Sequence, residues 1–279
     1  MKKINNLFAL FIVGLLFLVT ACDPIEQRDE LNSLIAVNDL ELNVIYVGGE
    51  GNNRMVIEMN SPGVTGYWDW NFGKSLTNRD SITYMSTGIS YLKFYGSTGD
   101  TQFVDSIQIN ITKMDYPLPD TWAFLVGVDP IAGKTWVLAT DRPEKLAPYD
   151  NGPEGLFSFM SAPYNWLELW WNAGGTCCPP VDVNAEMTFD LANGSTNYTY
   201  FNEDATTNGT FSLKPSDETL QIIGADLVGA YGAEGQIPDT QDGLYQLKLI
   251  SETEMILYQI HGTGWTWIFK PKGYEYPAK

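Results

Sequence analysis

The run Ser106-Ile107-Gln108-Ile109-Asn110-Ile111-Thr112 alternates isoleucine with a polar residue at every step. Successive side chains of an extended chain leave on opposite faces, so this period of two describes a strand with one face in a core and the other in water. The same reading extends outward. Val44-Ile45-Tyr46-Val47 and Met55-Val56-Ile57-Glu58-Met59 are strands on either side of the turn-rich joint Gly48-Gly49-Glu50-Gly51, and Gly88 to Tyr95 is another. Asp115-Tyr116-Pro117-Leu118-Pro119-Asp120 is a Pro-punctuated boundary. Thr121-Trp122-Ala123-Phe124-Leu125-Val126-Gly127 opens a second unit, with Gly133-Lys134-Thr135-Trp136-Val137-Leu138 as its next strand. The last third is a meander of Leu244–Ile250, Glu254–Ile260 and Trp265–Lys270, in which Trp265, Trp267 and Phe269 share one face and are assigned to core. Convincing amphipathic helices are absent and no unit of about 20–50 residues repeats, so the expected fold is all-β and not a solenoid or propeller.

The first 22 residues are of another kind. Lys2 and Lys3 precede an apolar run, Leu7 to Val19, which ends in Leu18-Val19-Thr20-Ala21-Cys22. A basic start, a short apolar core and a small residue at the cut describe a secretory signal; a spanning helix needs about 20 apolar residues. The end of this segment resembles the lipobox of bacterial lipoproteins, which implies that Cys22 is acylated and becomes the mature N-terminus. Asp23, Glu26, Asp29 and Glu30 follow and resemble the acidic export signal of Bacteroidetes lipoproteins, which implies display on the outer membrane, facing outward. Residues 22–34 are then an acidic tether, and the lipid is the only contact with the membrane.

Processing after Ala21 removes two lysines and no acid, so the net charge moves from −18 to −20 over the remaining 258 residues. Such a surface repels phosphate backbones and anionic headgroups, which excludes nucleic acid as a natural partner and favours a neutral ligand. With Cys22 acylated, only the adjacent Cys177 and Cys178 remain, beside the single His261, and this set cannot furnish a Cys/His zinc cage. A vicinal disulfide between Cys177 and Cys178 and a pair of packed thiols both stay open. No cofactor is expected.

Tyr67-x-Asp69-Trp70-Asn71-Phe72-Gly73, then Gly88-x-x-Tyr91, then the Ile-x-Ile-x-Ile strand resemble a PKD domain, with Asn71 in place of the usual Asp and one extra residue between Gly88 and Tyr91. The resemblance implies an immunoglobulin-like sandwich over residues 35–115, serving as a spacer. Trp68 and Trp70 lie two apart on a strand, share a face and are assigned to core. Gly133-Lys134-Thr135-Trp136-Val137, Asp141, Trp170-Trp171-x-Ala173 and Met187-Thr188-Phe189 resemble the C-terminal part of PKD-containing surface glycan-binding lipoproteins of Bacteroidetes polysaccharide-utilisation systems. That resemblance implies a larger carbohydrate-binding-type β-sandwich over residues 119–279, and a partner glycan importer in the outer membrane.

The candidate site follows from chemistry. Residues 141–180 are broken by six prolines yet carry Tyr149, Phe157, Phe159, Tyr164, Trp166, Trp170 and Trp171, more aromatic surface than a core is expected to absorb. Sugar rings present a face of C–H bonds on which Trp and Tyr stack, and Asp, Asn, Glu or Gln read the hydroxyls. Trp166, Trp170 and Trp171 with Glu168 and Asn172 supply that mixture, and Asp141 and Tyr149 are second-tier contacts. Trp170 and Trp171, being adjacent, must face opposite ways. The expected function is capture of a neutral polysaccharide, with β-glucan a candidate, without catalysis. Two alternatives stand: a glycoside hydrolase using pairs among Glu168, Asp182, Glu186 and Asp190, which has no signature run here, and an adhesin without a sugar site. Asp182, Glu186 and Asp190 are also candidate calcium ligands, although EF-hand spacing is absent. Asp80-Ser81-Ile82 and Asp105-Ser106-Ile107 also resemble a bacterial O-glycosylation acceptor motif.

Overall fold

The computed structural model describes residues 40–99, 101–172, 178–203, 205–230 and 243–278. Cys22 and the tether therefore lie outside the described residues. Seven strands come first: β1 (Leu42–Tyr46), β2 (Arg54–Met59), β3 (Thr65–Asp69), β4 (Lys74–Ser75), β5 (Arg79–Thr83), β6 (Gly88–Thr98) and β7 (Thr101–Ile111). They form two antiparallel sheets, ordered β1-β2-β5 and β4-β3-β6-β7. Met55, Ile57 and Ile82 from the first sheet and Trp68, Leu92, Phe94, Ile109 and Ile111 from the second are buried in one continuous core. The alternation in β7 sends Ile109 and Ile111 inward, as the period of two requires, and Trp68 is fully buried while Trp70 packs partly against the core.

Thr121 to Val126 is not the first strand of the second unit. It forms helix α1 (Asp120–Val126), entered from Pro119 and ended at Gly127 with φ 85°. Proline cannot donate to a helix and suits its start, and glycine takes the left-handed φ at its end. Trp122, Leu125 and Val126 are its buried residues, spaced i, i+3, i+4 on one face. Trp122 is wedged between the two units, with ring centroids 6.0 Å from Phe72 of the sandwich and 5.9 Å from Phe211 of the second unit. Asn53 ties the linker down: its amide donates to the Tyr116 carbonyl at 2.8 Å and its oxygen accepts from the Tyr116 N–H at 3.1 Å. Across the junction the Asn71 amide donates to the Gly194 carbonyl at 2.9 Å. Gly194 has φ +68°, and a Cβ there would sit 2.6 Å from the Tyr84 hydroxyl and 2.9 Å from Ser90 Oγ. The junction is therefore packed and hydrogen-bonded, not a loose hinge.

The second unit contains β8 (Lys134–Leu138), β9 (Ser158–Ala162), β10 (Asn165–Asn172), β11 (Glu186–Asp190), β12 (Asn197–Asn202), β13 (Ala205–Lys214), β14 (Thr219–Ile223), β15 (Leu244–Ile250), β16 (Met255–His261) and β17 (Thr263–Pro271). All join one antiparallel sheet, ordered β10-β9-β17-β16-β15-β14-β13-β12-β11-β8, and β17 also pairs with β8. Phe269 to Pro271 of β17 meet β8, while Gly264 to Trp267 meet β9. Eight strands, β8 and β11 to β17, thus close on themselves as a barrel-like meander. In place of two separate sheets, the layers of this unit are opposite walls of one closed sheet.

Trp265, Trp267 and Phe269 are buried as expected, but Thr266 and Ile268 on the other face of β17 are buried too. A strand buried on both sides needs a second cover. The Pro-broken segment supplies it: Phe159 lies opposite Thr266 and shares that face, and the Tyr149 ring packs edge-on against Phe159 at 5.2 Å. Tyr149, Leu156, Phe157 and Phe159 are buried with it. Much of the aromatic surface between residues 141 and 162 is therefore core, and the exposed share of the segment lies further on, at Tyr164 and Trp170.

Candidate functional site

β10 is an edge strand, and its pairing with β9 is interrupted. Asn165 lies opposite Ala162, but Leu169, not Trp166, lies opposite Ser161; Trp171 then faces Met160 and Asn172 faces Phe159. The extra residues between Asn165 and Leu169 bulge from the ladder, which re-aims side chains at an edge.

That geometry divides the three tryptophans. Met160 pairs with Trp171 on one side and with Trp265 on the other, so all three point one way, and the Trp171 ring meets Trp265 edge-on at 6.2 Å. Trp166 meets Tyr149 edge-on at 5.8 Å and is half-buried. Trp170 sits at a second register shift, between Leu169 and Trp171, and is 51% exposed. Its indole N–H donates to Glu168 Oε1 at 2.9 Å, and the Asn165 amide donates to Glu168 Oε2 at 3.2 Å. An exposed indole is thereby held in one orientation by a carboxylate that is itself steered.

The remaining expected contacts are distributed differently. Tyr149 is corrected to a core residue: it is 4% exposed, its ring packs edge-on against Phe159 and Trp166, and burial raises its hydroxyl above the usual tyrosine value. Asp141 is half-exposed and ion-pairs with Lys270 Nζ at 2.7 Å, against β17 and away from the tryptophan ladder. Asn172 is half-buried, and its Oδ1 is buried without a partner. Tyr164, absent from the sequence-based set, is 86% exposed in the turn between β9 and β10 with φ 67°, fixed by its N–H donating to Tyr258 Oη at 2.9 Å. The signal for it was local, in Pro163-Tyr164-Asn165, an aromatic at a turn that has no core to enter. Beside the same hairpin lies a cavity of about 480 Å³, whose walls include Leu167, Leu169, Asp150 and Asn151.

The acids weighed for hydrolysis or calcium each have a separate partner. Asp182 is buried and accepts from Tyr200 Oη at 3.1 Å and the Gly229 N–H at 3.0 Å; burial raises its pKa, and those two bonds oppose the shift. Glu186 pairs with Lys272 at 2.7 Å. Asp190 accepts from the Ala192 N–H at 2.9 Å and from the Asn197 amide at 2.7 Å. Among the described residues no group of three or more His, Cys, Asp or Glu is placed to hold a metal ion. Cys178 is disulfide-bonded, and Cys177 lies outside the described residues. No described helix is long and apolar enough to cross a membrane. A scan against models of known protein families finds no match to this chain, and a search of curated proteins finds none either.

Proposed function

We propose that this chain is a lipid-anchored surface protein of the outer membrane that holds a neutral polysaccharide and does no chemistry on it. The observation that carries the reading is Trp170: a large indole, half in solvent, on an edge strand, with its orientation fixed through Glu168 and Asn165. An immobilised plate loses little conformational freedom when a sugar ring stacks on it. The Glu168 carboxylate beside it accepts from sugar hydroxyls, Tyr164 adds a second exposed ring on the same hairpin, and the net charge of −18 suits an uncharged ligand. The first unit, with sheets of three and four strands, supports the PKD-like reading and the role of spacer between lipid and binding unit. A glycan importer in the same membrane would receive what the protein captures.

Binding to a glycan array, run beside a sugar-release assay, tests this reading. Expected are signals on neutral glycans and no released sugar. Reducing-end release that disappears with Glu168→Gln would make the protein a hydrolase, and a blank array would leave an adhesin.

A further inference from the structure

The outer face of the N-terminal sandwich carries a trough that a spacer has no use for. Three consecutive residues from each of three neighbouring strands line it, in register. Thr65, Ser97 and Gln102 form one row; Gly66, Gly96 and Phe103 form the middle row; Tyr67, Tyr95 and Val104 form the third. Residues directly opposed in an antiparallel sheet point to the same side, and alternate residues share a face. The first and third rows therefore stand as two banks about 7 Å apart, and the middle row turns inward, leaving backbone as the floor. The core requires those glycines: a Cβ on either would lie 2.7 Å from the Phe94 ring. The trough measures about 610 Å³.

The banks differ in chemistry. On one, Tyr67 and Tyr95 stack with centroids 5.0 Å apart and planes 11° from parallel. Lys74 comes from the opposite neighbouring strand and lies 5.3 Å from the Tyr67 ring centre, so both faces of Tyr67 are covered. The other ring face of Tyr95 looks toward β7, where Val104 stands directly opposite in register and is 54% exposed. On the other bank stand the hydroxyls of Thr65 and Ser97, 3.3 Å apart, and the Gln102 amide. No charged residue lines the trough, although the chain carries a net −18. A ligand with a C–H face on one side, hydroxyls on the other and no charge matches both banks.

The geometry points to a second binding site for a neutral oligosaccharide in this trough, built by Tyr95 and Val104 against Thr65, Ser97 and Gln102. The inference rests on the glycan-binding reading but not on Trp170. Because the Trp122 wedge and the Gly194 contacts fix the two units, the sites sit at a set separation, and a glycan chain long enough to span it would engage both with a gain from effective concentration.

Calorimetric titration of the full chain tests it, using the neutral polysaccharide that gives the strongest array signal. Tyr95→Ala, Val104→Lys and Trp170→Ala are compared with Val104→Lys combined with Trp170→Ala. Val104→Lys alters a solvent-facing position and keeps the test interpretable if Tyr95→Ala unfolds the sandwich. Each single variant is expected to lose on the order of 10- to 100-fold in affinity, and the double variant all detectable binding. Wild-type affinity in a folded Val104→Lys, or complete loss with Trp170→Ala alone, removes the sandwich site and leaves the Trp170 reading standing. Complete loss with Val104→Lys and none with Trp170→Ala keeps the sandwich site and overturns the Trp170 reading. An array blank for neutral glycans overturns both.

Discussion

Arg142→Ala should be among the most damaging single substitutions in the second unit. The Arg142 side chain is fully buried, its Nε donates to Glu254 Oε1 at 2.8 Å, and its Nη2 donates to the carbonyls of Leu146 and Ala147 at 3.0 and 2.8 Å. Tyr276 Oη donates to the same Glu254 oxygen at 2.7 Å, so one ion pair joins the Pro-broken cover, a β-turn and the C-terminal segment. Removing one member of a buried pair leaves an uncompensated charge and costs about 3–5 kcal/mol. Arg142 Nη1 is buried without a partner, so the wild-type site is itself incompletely satisfied, and the lower end, about 3 kcal/mol, is expected. At roughly 2–4 °C per kcal/mol for a domain of this size, the melting temperature should fall by about 6–12 °C. The cover should also open, exposing the bond after Lys145 to trypsin. Arg142→Met with Glu254→Met removes both charges and should be less destabilised than either single variant. A loss under about 0.5 kcal/mol for Arg142→Ala, the range of ordinary surface changes, or a double variant as damaged as the sum of the two, would refute the reasoning.

Three further outcomes follow from the same structure. Gly194→Ala forces a side chain into left-handed backbone and against Tyr84 and Ser90, and should cost at least about 1–3 kcal/mol and split thermal unfolding into two steps; Gly224→Ala, also at positive φ but with nothing nearer than 3.8 Å, should cost less and keep one step. Burial raises the Asp182 pKa in the folded state, so the folded protein holds that proton more tightly than the unfolded chain; stability should decline as pH rises from the ordinary carboxylate value through the raised one, and denaturant titrations should show that slope flattened in Asp182→Asn. Cys22→Ala should leave the precursor unlabelled by fatty acid and lost from the membrane fraction, and wild-type labelling in that variant would end the lipobox reading.

The strands and the inward faces of β7 and β17 are legible because they depend on local alternation. What lay beyond the sequence is non-local. Closure of the second sheet rests on Phe269, Lys270 and Pro271 meeting Leu138, Val137 and Trp136, partners more than 130 positions away, and no local pattern encodes that register. α1 was misread as a strand because a five-residue apolar run, Trp122 to Val126, fits either element; Pro119 before it and Gly127 after it were the helix signals. The burial of Tyr149, Phe157 and Phe159 had a visible sign in β17 itself. Trp265-Thr266-Trp267-Ile268-Phe269 is nearly continuous in bulk, the mark of a strand covered on both sides, and reading only its alternate residues missed the need for a cover. At the site, the expectation that Trp170 and Trp171 face opposite ways assumed a regular extended chain, and neither the register shift between Leu169 and Trp171 nor the one that separates Trp166 from its expected partner has a local signal.

The most direct test of the central claim pairs a glycan titration with a melting curve for Trp170→Ala and Trp171→Ala. Trp170→Ala should weaken binding of a neutral polysaccharide by about 1–3 kcal/mol, as loss of a stacking hot spot does, while stability stays within about 0.5 kcal/mol of wild type. Trp171→Ala, which removes the ring packed on Trp265, should instead lose stability, at or below the low end of the roughly 3–5 kcal/mol seen for buried aromatics. Wild-type affinity in a folded Trp170→Ala protein would contradict the account.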